Sequence, residues 1–185
     1  MTEWSRKRRV IRHYDRIASI YDRQYAEEQE AKINAILPHM CLDEKSLVLD
    51  VGCGTGLLFP LIAFKVQSII GVDASIKLLQ EAKQHAIKFS NTHIIRADSD
   101  YLPLKSNIFN RVFAITLLQN TPNPLITLQE IKRVNKKRAT IVATALKKKI
   151  TKEKFTALLR NAQLEILTTI ANDKLKDYIA ICQTQ

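Results

Sequence analysis

The residues best placed to do chemistry in this chain are three glycines and three aspartates. Gly52, Gly54 and Gly56 fall within five positions of a sequence that has only four glycines in 185 residues, the fourth being Gly71. Glycine reaches left-handed backbone conformations cheaply and lets a ligand approach main-chain amides. A chain so sparing with it keeps it for one tight, ligand-facing turn. Asp50 stands two positions before that turn, and Asp73 and Asp98 each close a short apolar run downstream. Carboxylates so placed accept hydrogen bonds from hydroxyl and amino groups and attract cations. These residue types suit recognition of a nucleoside-like ligand, and no general base announces itself beside them.

The elements that must hold these residues follow from pattern. Leu47 to Val51 is apolar and branched except for Asp50, as in a buried parallel strand, and Leu57 to Phe64 reads as a buried helix. Strand, glycine turn and helix together present amides of a helix N-terminus to a ligand. Ser68 to Val72 is a second strand ending at Asp73, and Ser75 caps a helix over 76–88. Thr92 to Arg96 is a third strand, ending at Ala97-Asp98. Arg111 to Leu117 is a fourth, followed by a turn-rich segment and a helix through Val134. Ala139 to Ala145 is a fifth strand, Lys152 to Arg160 a helix, and 165–170 with 178–182 a closing hairpin around Asn172-Asp173. Before all of these, 5–37 shows helical periodicity through Tyr14, Ile17, Ala18, Tyr21 and Tyr25, which predicts two helices ended by Pro38. Alternating strands and helices predict a doubly wound α/β sheet, whose ligands bind at the carboxyl ends of the strands.

Asp73 follows Gly52 by about 20 residues, a spacing that also suits a dinucleotide's ribose. Three features point elsewhere. Leu57 stands where the third glycine of G-x-G-x-x-G would be, Asp50 would repel a pyrophosphate but welcome an ammonium or sulfonium, and Asp98 offers an acceptor to an adenine amino group. A cationic adenosine derivative without phosphates fits all three.

The segment 49–56 resembles the first motif of the class I S-adenosylmethionine-dependent methyltransferases. Residues 71–75 resemble their second motif, and 97–99 with Leu102-Pro103-Leu104 their third. Tyr14-Asp15-Arg16-Ile17-Ala18 and Tyr21-Asp22 are similar to the opening of the quinone-methylating branch. The resemblance implies a Rossmann-like, seven-stranded, mostly parallel sheet with an antiparallel C-terminal strand and an N-terminal helical lid. It implies one domain over 1–185, with the lid at 1–40 and the α/β core at 45–185. The cofactor implied is S-adenosyl-L-methionine, with S-adenosyl-L-homocysteine as product. Gly52 and Gly54 would approach its methionine part, with Cys53, Thr55 and Gly56 completing the turn and Asp50 positioning the turn or, alternatively, reaching the amino group. Asp73 would hold the ribose hydroxyls, Asp98 the adenine amino group, and Ala74, Ser75 and Ser99 would flank them. Tyr21 would cover the methionyl end, and Thr116 and Leu117 would close the set at the end of strand four. Two departures stand out: Asn135-Lys136-Lys137-Arg138 replaces a frequent Pro-Gly-Gly turn, and Asn120-Thr121-Pro122 lacks the aromatic of amine-methylating enzymes.

The acceptor is less determined. His13 and His93 are candidate bases by residue type alone. Cys41, Cys53 and Cys182 form neither a disulfide pattern nor a metal-ligand spacing, which suits a reducing interior. The basic, polar N-terminus is no secretory signal and no apolar run approaches a bilayer span, so a cytoplasmic protein is expected. The net charge of +11 is concentrated: residues 1–16 hold six Lys/Arg against two acids, and residues 132–154 hold ten against Glu153. Topology places Arg6, Lys7, Arg8, Arg9 and Arg12 of the lid, and Lys147, Lys148, Lys149, Lys152 and Lys154 after strand five, beside the ligand edge. An RNA or RNA-associated acceptor gripped through phosphates is one reading. A small quinone-like or aromatic acceptor is another, and a non-catalytic adenosylmethionine-binding subunit a third. A homodimer or a small activator subunit is expected to pair with the exposed third strand.

Overall fold

The computed structural model describes residues 2–184. Its sheet has seven strands: β1 (Leu47–Val51), β2 (Ser68–Asp73), β3 (Thr92–Arg96), β4 (Phe109–Ala114), β5 (Asn135–Leu146), β6 (Leu164–Ile170) and β7 (Asp177–Thr184). Their order is β3-β2-β1-β4-β5-β7-β6, and β7 alone runs antiparallel to its neighbours. The chain reverses direction across the sheet between β1 and β4, the switch point at which such sheets hold ligands. The expected mostly parallel sheet with an antiparallel C-terminal strand is therefore present.

Both faces of the sheet are covered, which is why its central strands are apolar throughout. Leu49, Val51, Val112, Ile141 and Ala143 face the layer containing α4 (Pro124–Val134) and α5 (Lys152–Asn161). Val48, Ile69, Phe113, Val142 and Ile181 face the opposite layer, which holds α2 (Phe59–Ile62), α3 (Ile76–Ala86) and the end of α1 (Glu3–Ile36).

Four elements differ from expectation. The N-terminal segment forms the single helix α1 rather than two, because no glycine or proline interrupts residues 5–37. Pro38 instead sits in a 3-10 turn over Leu37–His39. The helix after the glycine turn shrinks to the four residues of α2 and a 3-10 turn, leaving Phe64 70% exposed. β4 stops at Ala114 rather than at 117, because Thr116 turns into the left-handed region at φ 57°. β5 starts early, at Asn135, and absorbs the extra length in a bulge with Arg138 at φ 58°.

α1 is capped by Thr2, whose hydroxyl accepts from the Ser5 amide at 3.2 Å. It spans 34 residues, about 51 Å of helix axis. Several of its polar contacts lie on one face and meet the strand ends in the sheet's spatial order. Lys7 reaches Asp98 after β3 at 2.7 Å, and Asp15 accepts from the Ser75 hydroxyl after β2 at 2.6 Å. Asp22 accepts from the Thr55 hydroxyl after β1 at 2.6 Å. Lys32 reaches Thr116 after β4 at 2.7 Å and Asp177 of β7 at 2.6 Å. The helix is strapped across the carboxyl ends of the sheet.

Candidate functional site

Beneath that strap lies a cavity of about 320 Å³. Gly52 and Gly54 form its floor after β1, and Asp73, Ala74 and Ser75 its wall after β2. Asp98 and Ser99 stand after β3, Thr116, Leu117 and Asn120 after β4, and Val10, Tyr14 and Tyr21 of α1 make the roof. Ten of the fourteen residues expected at the site line it. Asp50, Cys53 and Thr55 line a smaller adjoining space of about 50 Å³ that shares Tyr21, Gly52 and Gly54. Gly56 lines neither. Its φ is +79°, and a Cβ there would lie 2.6 Å from Phe59, so it lets the turn close on α2.

The three glycines take φ of +77°, +58° and +79°, the left-handed conformations that tight turns require. A Cβ at Gly54 would meet nothing within 4 Å, so open space adjoins that residue. A Cβ at Gly52 would come within 3.0 Å of Leu117, which leans on the turn from the end of β4. Asp73 ties the arrangement together by accepting from the Gly54 amide at 3.0 Å and the Ser75 amide at 2.8 Å. Ser75 caps α3 by accepting from the Leu78 amide at 3.1 Å.

Electrostatics follow from burial. Asp50 is buried in β1, and burial, with repulsion from Asp73, pushes its carboxyl up to about 8. Burial also raises Asp73, against the amides of Ser75, Gly54 and Ala74. A site built around two carboxyls held above their ordinary range suits a ligand that brings positive charge. Burial pushes the phenols of Tyr14 and Tyr21 up as well, so neither is a base at neutral pH. Cys53 is buried with its thiol raised in the same way, which leaves it unreactive. His13 and His93 are exposed and line no part of the cavity.

Asp98 is engaged from above. Its Oδ2 accepts from Lys7 at 2.7 Å and its Oδ1 from the Asp100 amide at 3.0 Å, while Lys7 also lies 2.5 Å from buried Asp100. The Lys7 side chain is only 12% exposed, so this lysine faces inward and is no surface cation. Sequence reasoning also misses Lys32, Asp177, Gln29 and the role of Tyr14. Tyr14 accepts from Asn120 at 2.9 Å across the cavity. None of Lys147, Lys148, Lys149, Lys152 or Lys154 borders the main cavity. Lys147 and Lys152 line a separate space of about 170 Å³ between α5 and β7.

The methyltransferase-domain family matches residues 42–180. The malonyl-[acyl-carrier protein] O-methyltransferase of Marinomonas sp. (strain MWYL1) is 30% identical over 144 residues, covering 77% of this chain and 53% of that protein. The demethylmenaquinone methyltransferase of Staphylococcus aureus (strain JH9) is 27% identical over 137 residues, covering 70% and 57%. The chain thus spans about half the length of the curated relatives it matches. A solved complex between the Haloferax volcanii Trm112 methyltransferase activator and a protein described as a methyltransferase superposes with a TM-score of 0.77 at 17% identity, covering 92% of this chain and 97% of that one.

Proposed function

Because this chain belongs to the class I S-adenosylmethionine-dependent methyltransferases, we propose that it transfers the methyl group of that cofactor to a small apolar or aromatic acceptor. The observation that carries this reading is the roof: α1 closes an apolar chamber with Val10, Ile11, Tyr14 and Tyr21, outside which the surface lysines stand. Residues 1–40 act as the lid of one domain whose α/β core is 45–185, and the free cysteines fit a cytoplasmic setting. Among the described residues no helix is long and apolar enough to cross a membrane.

The residues present fit the cofactor. The open space beside Gly54 admits a ligand against the turn, Asp73 offers carboxylate oxygen to ribose hydroxyls, and Ala74 and Ser99 border the ring. Asp98 offers an acceptor to the adenine amino group once Lys7 yields its oxygen. Asp50, in the adjoining space, meets the methionyl ammonium, and Cys53, Thr55, Ser75 and Gly56 hold the turn and its caps. Tyr21, Thr116 and Leu117 bound the methionyl end. The sulfonium supplies a methyl that is already activated. The chain's own work would be to hold the acceptor in line and limit the access of water, and the roof is the element placed to do both. With the carboxylates of Asp50, Asp73 and Asp98 given to the cofactor and the phenols of Tyr14 and Tyr21 raised, the acceptor would bring its own nucleophile, as an ionised oxygen or sulfur does. Turnover of labelled methyl donor against small-molecule and RNA pools tests the reading: label in an apolar small molecule is expected, and label in RNA alone would overturn it.

One observation favours RNA as the second reading. Trp4 is 55% exposed at the cavity's edge with the Arg8 guanidinium over its ring, and Tyr101 is 72% exposed beside Lys7. Exposed aromatics among cations are stacking surfaces for bases. Arg6, Arg9 and Arg12 would then grip phosphates, with Lys147 to Lys149 farther along the strand. A small activator subunit or a second copy would add to the open edge at β3, where His93 and Arg96 are exposed. The likeness to the Haloferax volcanii complex supports the activator.

A pH dependence follows from Asp50. Its carboxyl sits at about 8 in the free protein. A cation beside it favours the ionised form, so binding expels a proton wherever the free group holds one. Affinity for S-adenosylmethionine is expected to rise from about pH 6 to about pH 8, at up to about tenfold per unit, and then flatten. Asp50→Asn should bind with no such slope. Calorimetric titration across that range measures both, and parallel slopes would exclude Asp50 as the origin.

A further inference from the structure

Thr116 has an unusual conformation for its residue type. A β-branched side chain at φ 57° is a genuine outlier, because the left-handed region crowds Cβ against the backbone. Such a conformation persists only where its surroundings over-determine it, and here each of its polar groups is engaged. The Thr116 amide donates to the Thr144 hydroxyl at 2.8 Å. Its hydroxyl accepts from Lys32 at 2.7 Å and donates to Gln29 at 3.3 Å. Its carbonyl accepts from Gln119 at 3.0 Å and from Asn120 at 2.8 Å.

Behind this residue lies a charge pair with no exposure. Lys32 and Asp177 stand 2.6 Å apart with both side chains 0% exposed, and Thr144 reaches Asp177 at 3.4 Å. Buried pairs are costly to desolvate and are often replaceable by apolar residues without loss of stability. The other partner of this lysine is the strained residue in the cavity wall. The turn at Thr116 is also what brings Leu117 onto Gly52, at the end of the cavity away from Asp98.

We infer that Lys32, neutralised by Asp177, is a positioning residue: it holds Thr116 in the left-handed turn that sets Leu117 against the glycine floor and so shapes the slot for the methionyl part of the cofactor. The inference rests on the cofactor reading above and names a further determinant of that same site. The pair acts on one end of the ligand and leaves the adenosine end, built on Asp73 and Asp98, untouched.

Two nucleosides separate the ends. S-adenosylhomocysteine carries the amino-acid tail, and 5′-methylthioadenosine lacks it. In K32M/D177L, which removes both charges together, affinity for S-adenosylhomocysteine is expected to fall about tenfold or more while that for methylthioadenosine stays within about twofold. Adding Thr116→Gly should restore most of the tail's contribution, since glycine takes the left-handed turn unaided. Thr116→Val, which keeps the shape but loses the hydroxyl, should reproduce the selective loss in a chain whose charge pair is intact. Far-ultraviolet dichroism and the unfolding midpoint establish that each variant is folded; should the double variant fail to fold, the Thr116→Val arm decides alone. Equal weakening of both nucleosides, no weakening, or no rescue by glycine would overturn the positioning role. A wild-type chain that binds neither nucleoside would overturn the cofactor reading itself, and this inference with it.

Discussion

Asp73→Ala is expected to weaken binding of S-adenosylhomocysteine by at least about a hundredfold. On the proposed reading the carboxylate has two jobs at once. Hydrogen bonds to a charged acceptor are worth about 1.5–3 kcal/mol each, so losing the proposed pair to the ribose hydroxyls alone reaches that factor. The same side chain also receives the Gly54 amide at 3.0 Å and the Ser75 amide at 2.8 Å, which fix the glycine turn relative to the end of β2. Alanine leaves both amides to water and loosens the floor as well as the grip. Asp73→Asn separates the two: its one carbonyl oxygen keeps an acceptor for an amide while the charge is lost, so an intermediate loss is expected. Titration calorimetry reads both, and an alanine variant that binds within about tenfold of wild type would remove Asp73 from the ribose site.

Lys32→Met in α1 should be strongly destabilising. Methionine matches much of the stem, so the loss is electrostatic: Asp177 is left fully buried without its counter-ion. Removing one member of a buried pair costs about 3–5 kcal/mol, whereas replacing both is often close to neutral. In a chain of this size that corresponds to an unfolding midpoint lower by about 6–20 °C. The double variant K32M/D177L should recover to within about 1 kcal/mol of wild type. Chemical denaturation of the three proteins checks this, and a single variant as stable as wild type would show that Asp177 finds another partner. Stability and cofactor affinity would then part company in the double variant, which is the signature of positioning rather than of support.

What is readable in the sequence is local. Glycines two apart, an aspartate inside one strand and aspartates ending two others are short-range patterns. Each stands at the strand end its pattern indicates, because strand, turn and helix cap depend on neighbours in the chain. Lys7 reads as part of a basic surface because its sequence neighbours are arginines. Its inward course depends on Asp98 and Asp100, which lie far along the chain. Lys32 gives no signal at all, set in the polar stretch Glu30-Ala31-Lys32, since its partner belongs to the seventh strand. Thr116 takes a strand assignment from its β-branched type, and its left-handed turn is imposed by tertiary contacts against that preference. The helix over 3–36 exceeds the usual globular length of about 8–20 residues, so pattern alone divides it in two where no breaking residue exists.

The strap has a consequence for how the protein comes into being. α1 is made before every strand it crosses, and its deepest anchor, Asp177, lies in β7, which follows all the other strands in sequence. Until β7 emerges and enters between β5 and β6, the ammonium of Lys32 has no counter-ion and the helix is held by its other contacts, among them those at Asp98, Ser75 and Thr55. A pairing this distant in sequence forms late, because the loop it closes is long. On the ribosome, then, the last anchor of the roof over the cavity becomes available only after the other six strands have been made. That anchor comes from a strand that lines no part of the cavity it helps to roof.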